Sequence, residues 1–161
     1  MDQYKIRPIQ DSDIPWIENI LTSEWGSTII VTRGIIHKGD RLPGYIAERN
    51  DELLGFILYN IETENCEIIA LNTVEKGIGV GSSLIGILKD HAKSMGCLRL
   101  WLITTNDNVN AQHFYQKRGF VQKAIYPNAI EESRILKPEI PIYGINGIPI
   151  RDEIEYELIL K

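Results

Sequence analysis

The sequence is poor in the residues that would make it a metalloprotein or a disulfide scaffold. It has two cysteines, Cys66 and Cys97, in no CxxC or Cys/His spacing, and three histidines, His37, His91 and His113, with no HxxxH or His–carboxylate grouping. A metal site is therefore not expected, and both thiols are expected to be reduced and buried. Cations are also in the minority: 17 Lys and Arg face 22 Asp and Glu, a net charge of −5 with no run of like sign. That balance argues against nucleic acid as a partner, since phosphate backbones are bound mainly by clustered Lys and Arg. No stretch approaches the about 20 apolar residues that span a bilayer, and MDQYKIRPIQ lacks the pattern of a secretory leader. The expectation is a cytoplasmic protein with no membrane association. In 161 residues, 43% hydrophobic, there is material for one substantial core, so residues 1–161 are expected to form a single domain.

The order of elements can be read from periodicity. Tyr4–Ile9 alternates like a strand, and Asp11-Ser12-Asp13 offers N-cap chemistry to a helix carrying Ile14, Ile17, Ile20 and Leu21. Trp25–Pro43 is irregular, contains three glycines, and reads as a loop or short helix. Gly44–Arg49 and Leu53–Ile61 are β-rich runs joined by Asn50-Asp51-Glu52, hairpin chemistry, and Cys66–Val74 continues the antiparallel sheet. The period then changes: Leu84, Leu88, Ala92 and Met95 recur at helical spacing up to Gly96, a C′ glycine. Leu98–Ile103 reads as a strand covered on two faces. Asp107 or Asn108 can cap a short helix bearing Ala111 and Phe114 and ended by Gly119, and Phe120–Ile125 is a further strand. A Pro-containing excursion, 127–149, precedes Ile154–Leu160, which reads as an edge strand. The fold class is α+β, a mixed, mostly antiparallel sheet flanked by helices.

Gly77-Ile78-Gly79-Val80-Gly81 joins a strand to a helix, so its amides are the unpaired ones of a helix N-terminus at the positive end of the dipole. A P-loop would need GxxxxGK[ST], whereas Ser82-Ser83 follow Gly81 with no lysine. A Rossmann fingerprint would need GxGxxG after the first strand of a parallel unit; this loop is GxGxG after an antiparallel meander. The pyrophosphate of coenzyme A is a third occupant, and a turn that needs glycine only for its backbone angles is the fourth reading.

One strand later, Asn108 to Phe120 reads NxxAxxFYxxxGF. With this second motif the sequence resembles the GNAT superfamily of acetyl-CoA-dependent N-acetyltransferases, whose fold is acyl-CoA N-acyltransferase-like. The first six positions of that family's Q/R-x-x-G-x-G-A/G pattern fall on Lys76-Gly77-Ile78-Gly79-Val80-Gly81, with lysine at the first position. The resemblance covers about Cys66 to Val121. It implies acetyl-CoA as co-substrate, with its pyrophosphate on Lys76, Gly77, Gly79, Gly81 and Ser82, and its pantetheine arm along the backbone of Leu71 and Thr73 and beside Asn108. Asn108 is equally a helix N-cap, and the two roles are compatible.

The same resemblance implies that Tyr115 is the general acid near the sulfur, with Phe114 facing the core and Tyr115 the cleft, and that a backbone N–H near Leu71 receives the oxyanion. Glu67 is the candidate base, with Glu62 and Glu64 as competitors. The expected reaction is direct attack of a primary amine, of a small molecule or a peptide, on the acetyl thioester. A non-catalytic acyl-CoA-binding or sensor domain is the alternative. Trp25, Ser27, Arg33, Arg134 and Lys137 lie in the stretches that would meet the acceptor, though each is as well explained by packing or surface charge. An exposed edge on the C-terminal strand would favour pairing with a second copy, a homodimer.

Overall fold

The computed structural model describes residues 3–161. Its main sheet has seven strands: β1 (Lys5–Pro8), β4 (Gly44–Arg49), β5 (Glu52–Glu62), β6 (Asn65–Thr73), β7 (Arg99–Thr105), β9 (Glu153–Ile159) and β8 (Val121–Tyr126), in that spatial order. Every pairing is antiparallel except β6 with β7. The helices α1 (Ile14–Trp25), α2 (Val80–Ser94), α3 (Val109–Lys117) and α4 (Ala129–Leu136) flank it, and β2 (Ile29–Thr32) and β3 (Ile35–Lys38) form a separate hairpin.

Each face of the sheet has its own core, as a two-layer packing on either side requires. Ile17 and Leu21 of α1 pack with Ile46, Phe56, Leu58, Ile69 and Ala70 on one face. Leu84, Leu88 and Ala92 of α2 pack with Ile57, Ile68, Leu100 and Tyr156 on the other, together with Tyr115 of α3. The helical spacing of α2 and its C-terminal glycine are as expected, with Gly96 at φ 82°. Both cysteines are free and buried.

Two features of β6 position the site. Between Ile68 and Ala70 its register with β5 slips by one residue, because Tyr59 opposes Ile68 and Leu58 opposes Ala70. Ile69 is the extra residue of a β-bulge, and both Ile69 and Ala70 join the α1 side. The parallel ladder with β7 covers only Asn65–Ile68 against Arg99–Leu102, although both strands continue. The sheet is thus split at the C-terminal ends of β6 and β7, next to the glycine-rich turn.

Three expectations are corrected. Residues 25–43 contain the β2–β3 hairpin, whose β-branched strands close on Arg33-Gly34, at φ 48° and 74°. Both central residues are left-handed, as a type I′ turn demands, and an Arg-Gly pair is a weaker signal for it than Asn-Gly. The 127–149 excursion holds α4, whose N-cap residue is Asn128 (φ 60°). The C-terminal strand is not an edge: β9 lies between β7 and β8, because β8 pairs back onto β9 rather than onto β7. The edges are β1 and β8, so the pairing of β9 with a second copy has no free ladder to use.

Candidate active site

The two sequence motifs meet at the open end of the split. Gly79 (φ 82°) precedes α2, so the amides of its first turn have no helical partner. Gly77, also left-handed at φ 84°, has nothing within 4 Å of where a side chain would be. Gly81 is enclosed: a Cβ there would lie 2.9 Å from Cζ of Phe114 and 3.6 Å from Cγ2 of Thr73. An open backbone of free N–H groups at a helix start, with glycines at the positions of closest approach, fits a pyrophosphate.

Of the other residues expected to hold the cofactor, Leu71 and Thr73 lie on the part of β6 that has left β7. Lys76 is exposed beside the turn. Asn108 caps α3, its Oδ1 accepting from the Ala111 amide at 3.1 Å. Sequence reasoning missed Arg118. Its Nε donates to Oγ of Ser82 at 2.9 Å, its Nη1 donates to the Phe114 carbonyl at 2.7 Å, and its guanidinium lies 3.5 Å over the Phe114 ring. A fixed cation therefore stands at the first turn of α2, four residues after the aromatic that packs on Gly81. That i, i+4 spacing from Phe114 was the available signal.

Tyr115 and Phe114 exchange the orientations expected of them. Tyr115 is the buried residue of α3, edge-on to Phe114 and Phe120 at 5.2 and 5.3 Å, while Phe114 covers the start of α2. The reason is steric: Gly81 leaves a space into which the Phe114 ring packs. Burial pushes the Tyr115 hydroxyl above its ordinary range, so it is a proton donor and not an anion.

Glu67 lies on the opposite face, one residue before the end of the β6–β7 ladder. It is buried, 5% exposed, whereas Glu62 and Glu64 are exposed. It borders a cavity of about 220 Å³ with Glu62, Asn60, Asn65, Arg99 and Trp101. Across the sheet the same face carries Glu153, Glu155 and Glu157 of β9, at the alternate positions that a strand puts on one side. Each of these three has a cation. Arg33 bonds Glu153 through Nη1 at 2.9 Å, and Arg99 Nη1 bonds Glu155 and Glu157 at 2.8 and 3.0 Å. Tyr126 adds its hydroxyl to Glu155 at 2.8 Å.

Among the described residues Glu67 has no cation at bonding distance, only the Thr32 hydroxyl, which donates to its Oε2 at 2.7 Å. Burial pushes its carboxyl up to about 7, the Thr32 bond works the other way, and the neighbouring Glu153, Glu155 and Glu62 add to the rise. A carboxylate with that proton affinity is suited to taking a proton near neutral pH. The expected base and acid thus face opposite sides of the sheet, and β6 parts from β7 one residue after Glu67.

Arg33 lies at the tip of the β2–β3 hairpin, held on Glu153 and 3.5 Å over the Tyr126 ring. Arg134 is committed to the backbone, donating to the carbonyls of Ile140, Pro141 and Ile150. Lys137 is buried, which lowers its proton affinity, and Trp25 and Ser27 flank the turn after α1.

Comparison with known proteins places this geometry in context. The profile of the acetyltransferase (GNAT) family matches residues 10–120. The uncharacterized protein YdhI of Bacillus subtilis (strain 168) is 41% identical over 145 residues, 89% of this chain and 91% of YdhI. Among solved structures, the IAA acetyltransferase from Bacillus cereus ATCC 14579 superimposes with a TM-score of 0.76 at 25% identity, covering 98% of this chain and 100% of that one. A GNAT family acetyltransferase from Elizabethkingia anophelis with acetyl-CoA bound gives 0.70 at 22% identity, covering 99% and 100%.

Proposed function

The chain belongs to the acetyltransferase (GNAT) family, with acetyl-CoA as co-substrate, and from that premise we propose that it is an N-acetyltransferase whose acceptor is a primary amine of a small molecule or a peptide. The observation that carries the reading is Glu67: a buried carboxylate bonded to no cation among the described residues, beside a cavity, one residue before β6 parts from β7 on its way to the glycine turn.

Acetyl-CoA supplies the acetyl thioester. The chain's residues then have three tasks. The amides of Gly77–Ser82, with Arg118 and Lys76 beside them, hold the pyrophosphate, and the stretch Leu71–Thr73, paired with β5 but not with β7, takes the pantetheine arm together with Asn108. Glu67 accepts the proton that the acceptor ammonium must lose before its nitrogen can attack the acetyl carbon. Tyr115 has its ring turned to the α2-side core and not to the cleft, but its hydroxyl makes no hydrogen bond to the described residues and is not sealed off. It presents that neutral hydroxyl as donor and acid to the departing sulfur, while a backbone N–H near Leu71 receives the developing oxyanion. The atoms balance: a C–N bond forms, a C–S bond breaks, one proton leaves the amine and one reaches the sulfur.

The test is release of free thiol from acetyl-CoA in the presence of a panel of primary amines. Turnover with one of them, reduced about 10²- to 10⁴-fold in Glu67→Gln with acetyl-CoA binding unchanged, is the expected result. Thermal stabilisation by acetyl-CoA with no turnover across the panel would favour a binding or sensor domain instead.

A further inference from the structure

The β2–β3 hairpin brings two polar side chains to the sheet face that carries Glu67. Thr32 and His37 are diagonal neighbours on one side of the hairpin, since Thr32 opposes Ile35 and Ile30 opposes His37. Both are buried, at 6% and 7% exposure, among strand residues that are otherwise mostly Ile and Val. Oγ1 of Thr32 lies 2.8 Å from Nε2 of His37 and 2.7 Å from Oε2 of Glu67. A hydroxyl has one proton to give. With that proton on the bond to ionised Glu67, Thr32 must accept from His37, which fixes the Nε2–H tautomer. The other carboxylate oxygen, Oε1, makes no hydrogen bond to the described residues and is 3.9 Å from His37 Nε2. No sealed side-chain nitrogen or oxygen among the described residues lacks a partner, so Oε1 keeps access to the cavity that Glu67 borders.

The hairpin is fastened where this chain forms. Arg33, next to Thr32, gives both its backbone N–H and its guanidinium to Glu153, at 3.1 and 2.9 Å, and lies over Tyr126. A buried threonine and histidine cost stability compared with aliphatic residues unless they are bonded, and here their bonds run in one direction, toward Glu67.

We infer that Thr32 and His37 are positioning residues for Glu67: His37 orients the Thr32 hydroxyl, Thr32 pins Oε2, and Oε1 is left for the acceptor's ammonium. The inference rests on Glu67 being the base. The pinned bond favours the ionised carboxylate. The other groups facing it are Glu62 of β5, Arg99 of β7, and Glu153 and Glu155 of β9, with Arg33 and Tyr126 attached to the last two.

The experiment is a pH titration of the glutamate side-chain carboxyl carbons by NMR in the full chain, with the Glu67 signal assigned by its loss in Glu67→Gln. In Thr32→Val the Glu67 midpoint moves up by about one pH unit or more, the proton-affinity equivalent of a lost hydrogen bond to a charged group. His37→Phe moves it in the same direction, and Thr32→Ser and His37→Gln, which keep the donors, leave it in place. The acid limb of kcat/KM for an amine found in the panel follows the same order. His37→Phe reads the chain independently should Thr32→Val fold poorly. An unmoved midpoint in both, or an equal shift in Thr32→Ser, overturns the positioning. Undiminished turnover in Glu67→Gln overturns the base and with it the catalytic purpose of the pinning, a result separable from the NMR midpoints.

Discussion

The ring edge of Phe114 fills the space in which a side chain on Gly81 would lie, 2.9 Å from where its Cβ would be. That contact joins the first turn of α2 to α3, and it distinguishes two glycines of the same helix. Gly86 has nothing within 4 Å of its missing side chain. Gly81→Ala is expected to overpack and cost about 1–3 kcal/mol, with weakened stabilisation by acetyl-CoA. Gly86→Ala should gain about 0.5–1 kcal/mol from helix propensity alone and leave acetyl-CoA binding unchanged. Urea unfolding of the two variants, with and without the co-substrate, checks both signs.

Glu67 makes stability fall with pH. Its folded-state value of about 7 is above the ordinary 4.5, so the folded chain holds a proton that the unfolded chain has released between those limits. The contribution is fully present below about pH 4.5 and is lost as pH rises through about 7, amounting to roughly 3 kcal/mol. Glu67→Gln should raise Tm at pH 8 and leave it nearly unchanged at pH 4. An equal change at both pH values would contradict the assignment.

Tyr115→Phe removes one hydroxyl from a site packed by Phe114 and Phe120 and leaves the packing in place. We expect kcat to fall about 10²-fold or more with acetyl-CoA affinity retained. Single-turnover thiol release together with calorimetric binding separates the two, and full kcat in this variant would remove the assigned acid.

Arg33→Ala strands the buried Glu153 carboxylate and frees the hairpin tip. Side-chain exposure is 38% for Arg33 and 2% for Glu153. The expected loss is about 2–3 kcal/mol, toward the lower part of the range for breaking a buried pair because Arg33 is itself partly in solvent. The double variant Arg33→Ala with Glu153→Gln should recover part of it in chemical denaturation.

Much of this was legible in the residues, for physical reasons that differ between elements. The glycine turn, α2 and its terminating Gly96 follow from local backbone demands, and local demands are written locally. Glu67 could be nominated from its strand, but its preference over Glu62 and Glu64 depends on burial, which is set by the hairpin 30 residues earlier. That hairpin was hidden because Arg-Gly closes it. The partners of β9 were hidden because an alternating pattern gives the face of a strand and says nothing of its neighbours. Arg118 falls at an unspecified position of the second motif, and its place at the first turn of α2 depends on Phe114 turning toward Gly81.

The bulge at Ile69 has a consequence for phase. In an unbroken strand Glu67 and Leu71, four residues apart, would share a face. Because β6 puts Ile69 and Ala70 in succession on the α1 side, Glu67 faces the hairpin while Leu71 packs with the α2 core. One inserted residue acts as a half-turn in the strand, assigning the donor's and the acceptor's chemistry to opposite sides of one chain segment. Length is thus as informative here as identity: a strand of the same length without the bulge would bring both to the same side, whereas deleting Ile69 would remove the bulge and leave Glu67 and Leu71 on opposite sides by plain alternation.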